Sequence, residues 1–338
     1  MTRIWRVFGQ QTALLILAGI VIVFSLTVGE TFLSAGNVSN IARQISIDAP
    51  VVFGQAIVLI AGGIDISVGS NMAMAGAITM GLQPLGTPVA VLAALAFGVL
   101  VGAVNGLLVT RGKIVPFIAT LGTMSLVRGI LLTYTRQQPI SGRDPSFAFW
   151  GAGDIGFVPV PLVITVALMA ALFVFLRYSR AGRNLYAIGG NKEAAHVAGI
   201  SVDRYLFLAF VISGFTASLA GVLLSSRLNS ATVQVGIDTP LLSISAAIIG
   251  GASLLGGRGT IVGAFLGVLA LGALTNGMNL LGVHTYYQIA IRALILIAVV
   301  AVDAFSGNLT RRRLAIANRI RPKAERRDDM HGVAPSGP

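Results

Sequence analysis

Residues that could perform chemistry are few and widely separated in this chain of 338 residues. The three histidines are His196, His284 and His331, and no cysteine is present. A catalytic triad or a metal site needs side chains that converge in space, and these spacings contain no such set. We therefore predict no catalytic residue, no metal site, no cofactor bound by this chain, and no enzymatic activity.

Two glycine-rich motifs are typical of nucleotide-binding proteins, and the sequence supports neither. The sequence contains no G-x-x-x-x-G-K-[ST] phosphate-binding loop. Gly151, Gly153 and Gly156 match G-x-G-x-x-G, but that fingerprint requires a preceding strand and a following helix. Here Pro159 and Pro161 lead directly into an apolar segment, so we reject the match.

Asp65 is the most informative single residue, because its stretch GGIDISVGS separates two apolar runs. A carboxylate inside a membrane is costly and indicates a functional site by default. Asp65 or Ser67 could instead accept hydrogen bonds from the first turn of the next helix. The sequence leaves both interpretations open.

Polar side chains within the apolar segments could bind a solute. Each alone is more often an interhelical hydrogen bond, but together they suit a neutral, hydroxylated solute better than an ion. The set comprises Gln55, Asn71, Asn105, Thr120, Thr123, Ser125, Ser213, Thr216, Ser243, Ser245, Thr275 and Asn276. We predict a solute pathway lined by Gln55, Asp65, Ser67, Asn71, Asn105, Thr120, Thr123 and Asn276.

The amino-acid composition indicates that these residues belong to a membrane protein. The chain is 55% hydrophobic and 11% charged, with a mean hydropathy of +0.85, which excludes an ordinary soluble protein. A spanning helix needs about 20 predominantly apolar residues, so an all-α, polytopic membrane protein with about ten transmembrane helices is predicted. The predicted spans are residues 12–28, 48–63, 68–82, 87–109, 114–134, 159–176, 205–226, 238–251, 259–276 and 285–303.

The basic residues orient these spans. The formal net charge is +12, and most of the 24 Lys and Arg residues fall in alternate loops and in the C-terminal tail. Positive residues are retained on the cytoplasmic side, so both termini are predicted inside. The charges thereby predict contact with lipid and no nucleic-acid partner. We expect a membrane domain over residues 1–305 and a basic cytoplasmic tail over 306–338 that is largely disordered.

The longest polar interruption, residues 177–204, carries RYSRAGRNLYAIGGNKEAAHVAGISVDR. Within it, Asn191 is a predicted N-cap, Lys192 to Ala198 a helix of about two turns, and Gly199 the stop at its C-terminus. A helix this short is marginal without tertiary contacts, so the membrane domain or a partner protein must support it. The alternative is an ordinary solvated loop.

Small residues repeat every four positions in two predicted spans. Such ladders allow helix backbones to approach closely, and we assign them to helix packing. Two arginines also fall within spans: Arg128 is near enough to the outer end to extend towards water, whereas Arg292 is deeper and needs a partner. The ladder residues are Gly98, Gly102, Gly106, Gly259, Gly263 and Gly267.

Four stretches, in the same order, resemble the permease subunits of bacterial ABC importers for ribose, xylose, arabinose and galactose. They are GIDISVGS from Gly63, NGLLVTRGKIVPFIATLGTMSLVRG from Asn105, GRNLYAIGGNKEAAHVAGI from Gly182 and GGASLLGGRGTIVGAFLG from Gly250. The resemblance runs from the second predicted span to the ninth, and the basic tail is not part of it.

The resemblance implies the ABC-importer permease fold in the bacterial cytoplasmic (inner) membrane. It also implies that Glu193, Ala194, Ala195 and Gly199, preceded by Asn191, form the E-A-A-x-x-x-G segment that couples the permease to an ATPase. The implied partners are a second permease chain, an ATP-binding subunit that holds ATP and Mg, and a periplasmic solute-binding protein.

Other functions remain open at this stage. A permease of the same superfamily for a nucleoside, a furanone signal or a branched-chain amino acid would differ mainly in the polarity of its pathway. An ion-coupled secondary transporter would need intramembrane carboxylates or histidines, and only Asp65 approaches that requirement. An intramembrane enzyme would need a convergent catalytic set.

Overall fold

The computed structural model describes residues 2–295, 297–298 and 301, and most of them are helical. In addition to the helices labelled below, residues 285–295 form a helix that follows α13. The tail 306–338 lies outside the described residues, so the prediction made for it stays a prediction. The helices are α1 (Thr2–Val28), α2 (Glu30–Leu33), α3 (Ala35–Ile60), α4 (Val68–Leu82), α5 (Thr87–Thr110), α6 (Pro116–Thr135), α7 (Ala148–Ala152), α8 (Val160–Tyr178), α9 (Arg180–Gly190), α10 (Lys192–Val197), α11 (Val202–Leu228), α12 (Thr239–Ile249) and α13 (Ile261–Leu280).

Four two-residue strands lie between helices. They are β1 (Ile140–Ser141), β2 (Asp154–Ile155), β3 (Val158–Pro159) and β4 (Ser230–Ala231). β1 pairs antiparallel with β4, and β2 with β3. The first pair joins the loop after α6 to the end of α11 and closes the outer side of the bundle.

The all-α membrane architecture is confirmed. Six helices, α3, α5, α6, α8, α11 and α13, are long and apolar enough to cross a membrane. Two shorter apolar helices cover Ala13–Val28 and Thr239–Ile249. With α4 and the helix at 285–295, helical segments occur at all ten predicted positions.

The sequence predicts the second span from residue 48 and thereby leaves residues 31–46 as a polar connection, which is wrong, because α3 begins at Ala35. Ser34 caps it by accepting from the backbone N–H of Asn37 at 3.3 Å. The polar side chains of this first half are used in tertiary contacts: Arg227 donates to Asn40 Oδ1 at 3.1 Å, and Arg43 pairs with Asp154 at 2.7 Å. Their polarity therefore did not indicate a loop.

α11 lies at the centre of the bundle and packs against α3, α4 and α5. The first glycine ladder makes the α5 contact: a Cβ on Gly98, Gly102 or Gly106 would collide with Gly214, Phe210 or Phe207 of α11. The antiparallel pair therefore packs with backbones in contact, as small-xxx-small positions allow.

The second ladder has two members in a helix rather than three. Gly263 and Gly267 of α13 lie against Gly250 and Ala246 at the end of α12. Gly259 precedes α13 and has a φ of 141°, so its assignment to the ladder is wrong. The helix begins later because Thr260 caps it, accepting from the Gly263 N–H at 2.9 Å.

Two of the spans rest on short helices. α4 has 15 residues and follows the irregular segment 61–67, whereas α12 has 11 residues and follows the irregular residues 232–238 after β4. An 11-residue helix is about 16 Å long, roughly half the hydrocarbon thickness of a bilayer. The N-terminal ends of the two helices meet, because a Cβ on Gly69 would collide with the carbonyl of Gly236.

Candidate functional site

The predicted short helix in the polar interruption is present as α10. Asn191 Oδ1 accepts from the Ala194 N–H at 3.0 Å, as an N-cap does. At the other end Gly199 has a φ of 77°, and the N–H of Ile200 donates to the carbonyl of Ala195 at 3.0 Å. This is the glycine-terminated helix end that the sequence predicts.

α10 presents most of its surface to solvent. Ala195 is buried and seats the helix on the membrane domain, whereas Asn191, Glu193, Ala194 and Gly199 are exposed. Val197 is 88% exposed, although it is apolar. The Glu193 carboxylate has no hydrogen-bond or ion-pair partner in the described part of the chain. A carboxylate and an apolar side chain without internal contacts suit a protein partner.

α9 connects α10 to the transmembrane helices. Its buried side chains Leu185 and Ile188 pack into the main hydrophobic core. Gly189 lies so close to the Ile60 carbonyl and the Gly257 N–H that a Cβ would collide with both. These two groups hydrogen-bond to each other at 2.9 Å. The end of α3 and the loop before α13 thus meet directly against α9.

The structure brings part of the predicted solute pathway together around Asp65. Asp65 Oδ1 accepts from the Ser67 N–H at 3.0 Å and the Ser67 hydroxyl at 2.6 Å, and Oδ2 accepts from Ser213 at 2.8 Å. Ser67 accepts from Asn105 at 2.8 Å, and Asn105 accepts from Thr123 at 2.6 Å. This network joins the 61–67 segment to α5, α6 and α11.

The other predicted pathway residues are distributed elsewhere. Thr120 is close to the network, with its hydroxyl 3.4 Å from the Ile64 carbonyl. Asn71 donates to the carbonyl of Gly214 at 3.0 Å, and both amide atoms of Gln55 are buried without a hydrogen bond among the described residues. Asn276 exchanges two amide hydrogen bonds with Asn37, near the outer ends of α13 and α3.

Comparison with known proteins identifies the family. The sequence profile described as branched-chain amino acid transport system / permease component matches residues 37–300. The chain belongs to this permease family. It is 41% identical to the ribose import permease protein of Bacillus subtilis (strain 168) over 288 residues, which cover 84% of this chain and 89% of that protein.

Two further relatives come from Escherichia coli (strain K12). The ribose import permease protein is 38% identical over 308 residues, covering 89% of this permease and 95% of the relative. The D-allose transport system permease protein is 38% identical over 292 residues, covering 85% and 89%. No solved structure matches the chain significantly. The family places this permease in the bacterial cytoplasmic membrane, as a transport subunit that works with ATP-hydrolysing and solute-binding components.

Two groups important to the permease were missed or misread in the sequence. Arg128 does not extend towards water: it donates to the backbone carbonyls of Val233 at 2.6 Å and Val235 at 3.1 Å. The sequence predicts a span that begins at Asp48, but this residue lies in the middle of α3. Arg292 donates to the Gln288 carbonyl at 3.4 Å. No sequence signal links residues so far apart in the chain.

The Asp65 network gives the first testable prediction. Asp65→Ala removes the acceptor of three buried hydrogen bonds, so we expect the free energy of unfolding to fall by about 3 kcal/mol. Asp65→Asn keeps one acceptor oxygen and places an amide opposite Ser213, whose hydroxyl can reverse, so its loss should be less than half as large. Thermal unfolding in detergent measures both. Equal losses for the two variants would contradict the hydrogen-bond arrangement.

Proposed function

We propose that this permease forms the membrane pathway of an ABC importer for a sugar, with a ribose-like pentose or a hexose as solute. The observation that carries the proposal is α10, a capped helix that is seated by Ala195 and exposes Glu193 and Val197. Such a helix can transmit the movement of an ATPase subunit to α3 and α13 through the Gly189 contact. Relatives named for ribose and allose favour a sugar.

The permease acts without an ATP site or cofactor of its own in this proposal. The described residues contain no group of three His, Cys, Asp or Glu side chains that could hold a metal ion. ATP and Mg are bound by the partner ATPase, and a solute-binding protein delivers the sugar from the periplasm. Two permease chains, identical in the simplest arrangement, enclose the pathway between them. Binding energy from ATP drives the cycle only if it favours one permease conformation over the other.

Uptake assays test the proposal. The permease is reconstituted with its ATPase and binding protein in proteoliposomes, and entry of radiolabelled D-ribose, D-allose, D-galactose and L-leucine is measured. We expect a sugar to enter only when ATP is present and to be unaffected by a protonophore. Uptake of leucine alone would favour an amino-acid permease, and uptake abolished by the protonophore without need of ATP would favour a secondary transporter.

A further inference from the structure

Residues 232–239 lead from β4 to the first residue of α12 and pack against the start of α4. Gly236 touches Gly69 in the first turn of α4, and the Thr239 hydroxyl is 4.0 Å from the sulfur of Met72. Between these two residues of α4, Asn71 donates to the carbonyl of Gly214. Gly214 packs against Gly98, which lies at the middle of α5. The segment is therefore level with the middle of a full spanning helix.

Arg128 holds the segment at this depth from the other side. It is the thirteenth residue of the 20-residue helix α6, so it lies about 18 Å from the cytoplasmic end of that helix. Its guanidinium donates to the Val233 and Val235 carbonyls. Non-helical backbone at membrane depth is tolerated only where protein buries it or where it lines a water-filled cavity.

The side chains of this segment that face out of the subunit are polar as well as apolar. Gln234 and Asp238 are exposed, alongside Ile237 and Leu241. The Asp238 carboxylate does not cap α12, and no hydrogen bond or ion pair satisfies it within the part of the chain that the structure describes. On α6, the side chains on either side of Arg128 along the helix form an open, mainly apolar surface of Ser125, Leu126, Gly129, Ile130, Thr133 and Tyr134.

A carboxylate at this depth cannot face lipid, because transferring it into hydrocarbon without a partner is costly. It needs water or a polar ligand on the open side of the subunit. The residues predicted from the sequence do not provide that surface, because Asp65, Ser67, Asn105 and Thr123 are at most 5% exposed and bond to one another.

We propose that segment 232–239 lines the solute pathway, with Gln234 and Asp238 as solute-contacting residues and Arg128 as the residue that positions the segment. This inference rests on the proposed transport function. A carboxylate accepts hydrogen bonds strongly, and a side-chain amide both donates and accepts, so the pair suits the hydroxyl groups of a neutral sugar.

Cysteine labelling tests the position of the segment, and the absence of native cysteine makes each introduced thiol unique. The variants Gln234→Cys and Asp238→Cys are expressed in the full importer in cells and exposed to a membrane-impermeant, positively charged methanethiosulfonate. Because the reactive thiolate forms only in water, we expect both to react at least about tenfold faster than a lipid-facing thiol. Saturating D-ribose should slow both reactions.

Matched controls come from two other helices. Leu100→Cys is central in α5 and 60% exposed, and Ala217→Cys is central in α11 and fully buried, so neither should react. Gln234→Cys and Asp238→Cys reacting as slowly as Leu100→Cys would overturn the inference, even if the wild-type complex transports sugar. Rapid labelling without uptake of any solute by the wild type would instead support a water-filled pathway and contradict the proposed function.

Loss of D-ribose uptake in Asp238→Ala, with normal amounts of protein in the membrane, would support direct contact between Asp238 and the sugar. Unchanged uptake in this variant would overturn that contact.

Discussion

Glu193→Lys should abolish the stimulation of ATP hydrolysis by solute-loaded binding protein while the permease remains inserted and folded. Glu193 is exposed and has no partner in the described chain, so reversing its charge removes no internal contact. The change acts only on whatever docks against α10. Gly199→Pro should have the same result by a different route, because proline cannot adopt the φ of 77° and loses the N–H that donates to His196. ATPase activity of the reconstituted complex, with and without binding protein and solute, measures both effects.

A charge reversal outside α10 is the control. Asp203→Lys changes the net charge by the same amount on the same side of the membrane, and it breaks only an exposed pair with Lys113 at 2.8 Å. Such pairs contribute about 0–1 kcal/mol, so we expect normal stimulation. Stimulation lost equally in Asp203→Lys and Glu193→Lys would assign the effect to general charge. Normal stimulation in Glu193→Lys would remove α10 from the coupling path.

α10 could be predicted from the sequence because its signals are local. Asn191 and Gly199 stand within one short stretch, and each acts on backbone groups three to five residues away. The start of α3 could not be predicted in that way. Asn37, Asn40 and Arg43 resemble loop residues, but their partners lie 239, 187 and 111 positions along the chain. Local polarity cannot distinguish a solvated side chain from one that bonds across a bundle.

The solute pathway shows the same limit more clearly. Polar side chains within apolar segments predict a solute pathway. Asp65, however, accepts a hydrogen bond from Ser213, 148 positions away, and belongs to a buried network. The sequence predicts Asp238 at the outer boundary of a span, because nothing in its pattern shows that α12 has only 11 residues. The depth that we propose for Asp238 depends on the contact between the backbones of Gly69 and Gly236, which exists only in the folded protein.

The cytoplasmic side also depends on contacts that exist only in the folded protein, because three backbone segments meet there. Gly189 of α9 lies against Ile60, at the end of α3, and against Gly257, before α13. Tyr186 adds a hydrogen bond from its hydroxyl to the Gly259 carbonyl at 2.8 Å. If α10 is the coupling helix that we propose, its movement is expected to reach α9, its main neighbour, and then these two helices. In that proposal, close packing at Gly189 is the contact on which transmission depends.

Gly189→Ala should accordingly impair both stability and transport. The new Cβ would fall on the Ile60 carbonyl and the Gly257 N–H, which are backbone groups already bonded to each other at 2.9 Å. Backbone cannot move aside as the end of a flexible side chain can, so we expect a loss of about 3 kcal/mol in the free energy of unfolding, at the upper end for overpacking. Thermal unfolding in detergent and ATP-dependent solute uptake in proteoliposomes measure the two consequences.

Gly190→Ala provides the comparison, because the two glycines are adjacent in the same helix. A Cβ on Gly190 meets nothing within 4 Å, and its φ is not positive. Alanine at that position should stabilise α9 by roughly 0.5–1 kcal/mol through reduced backbone entropy in the unfolded chain and leave uptake unchanged. If Gly189→Ala instead unfolds and transports like Gly190→Ala, the junction tolerates displacement, and movement of α10 must reach the membrane helices by another contact, of which the direct continuation into α11 is the nearest.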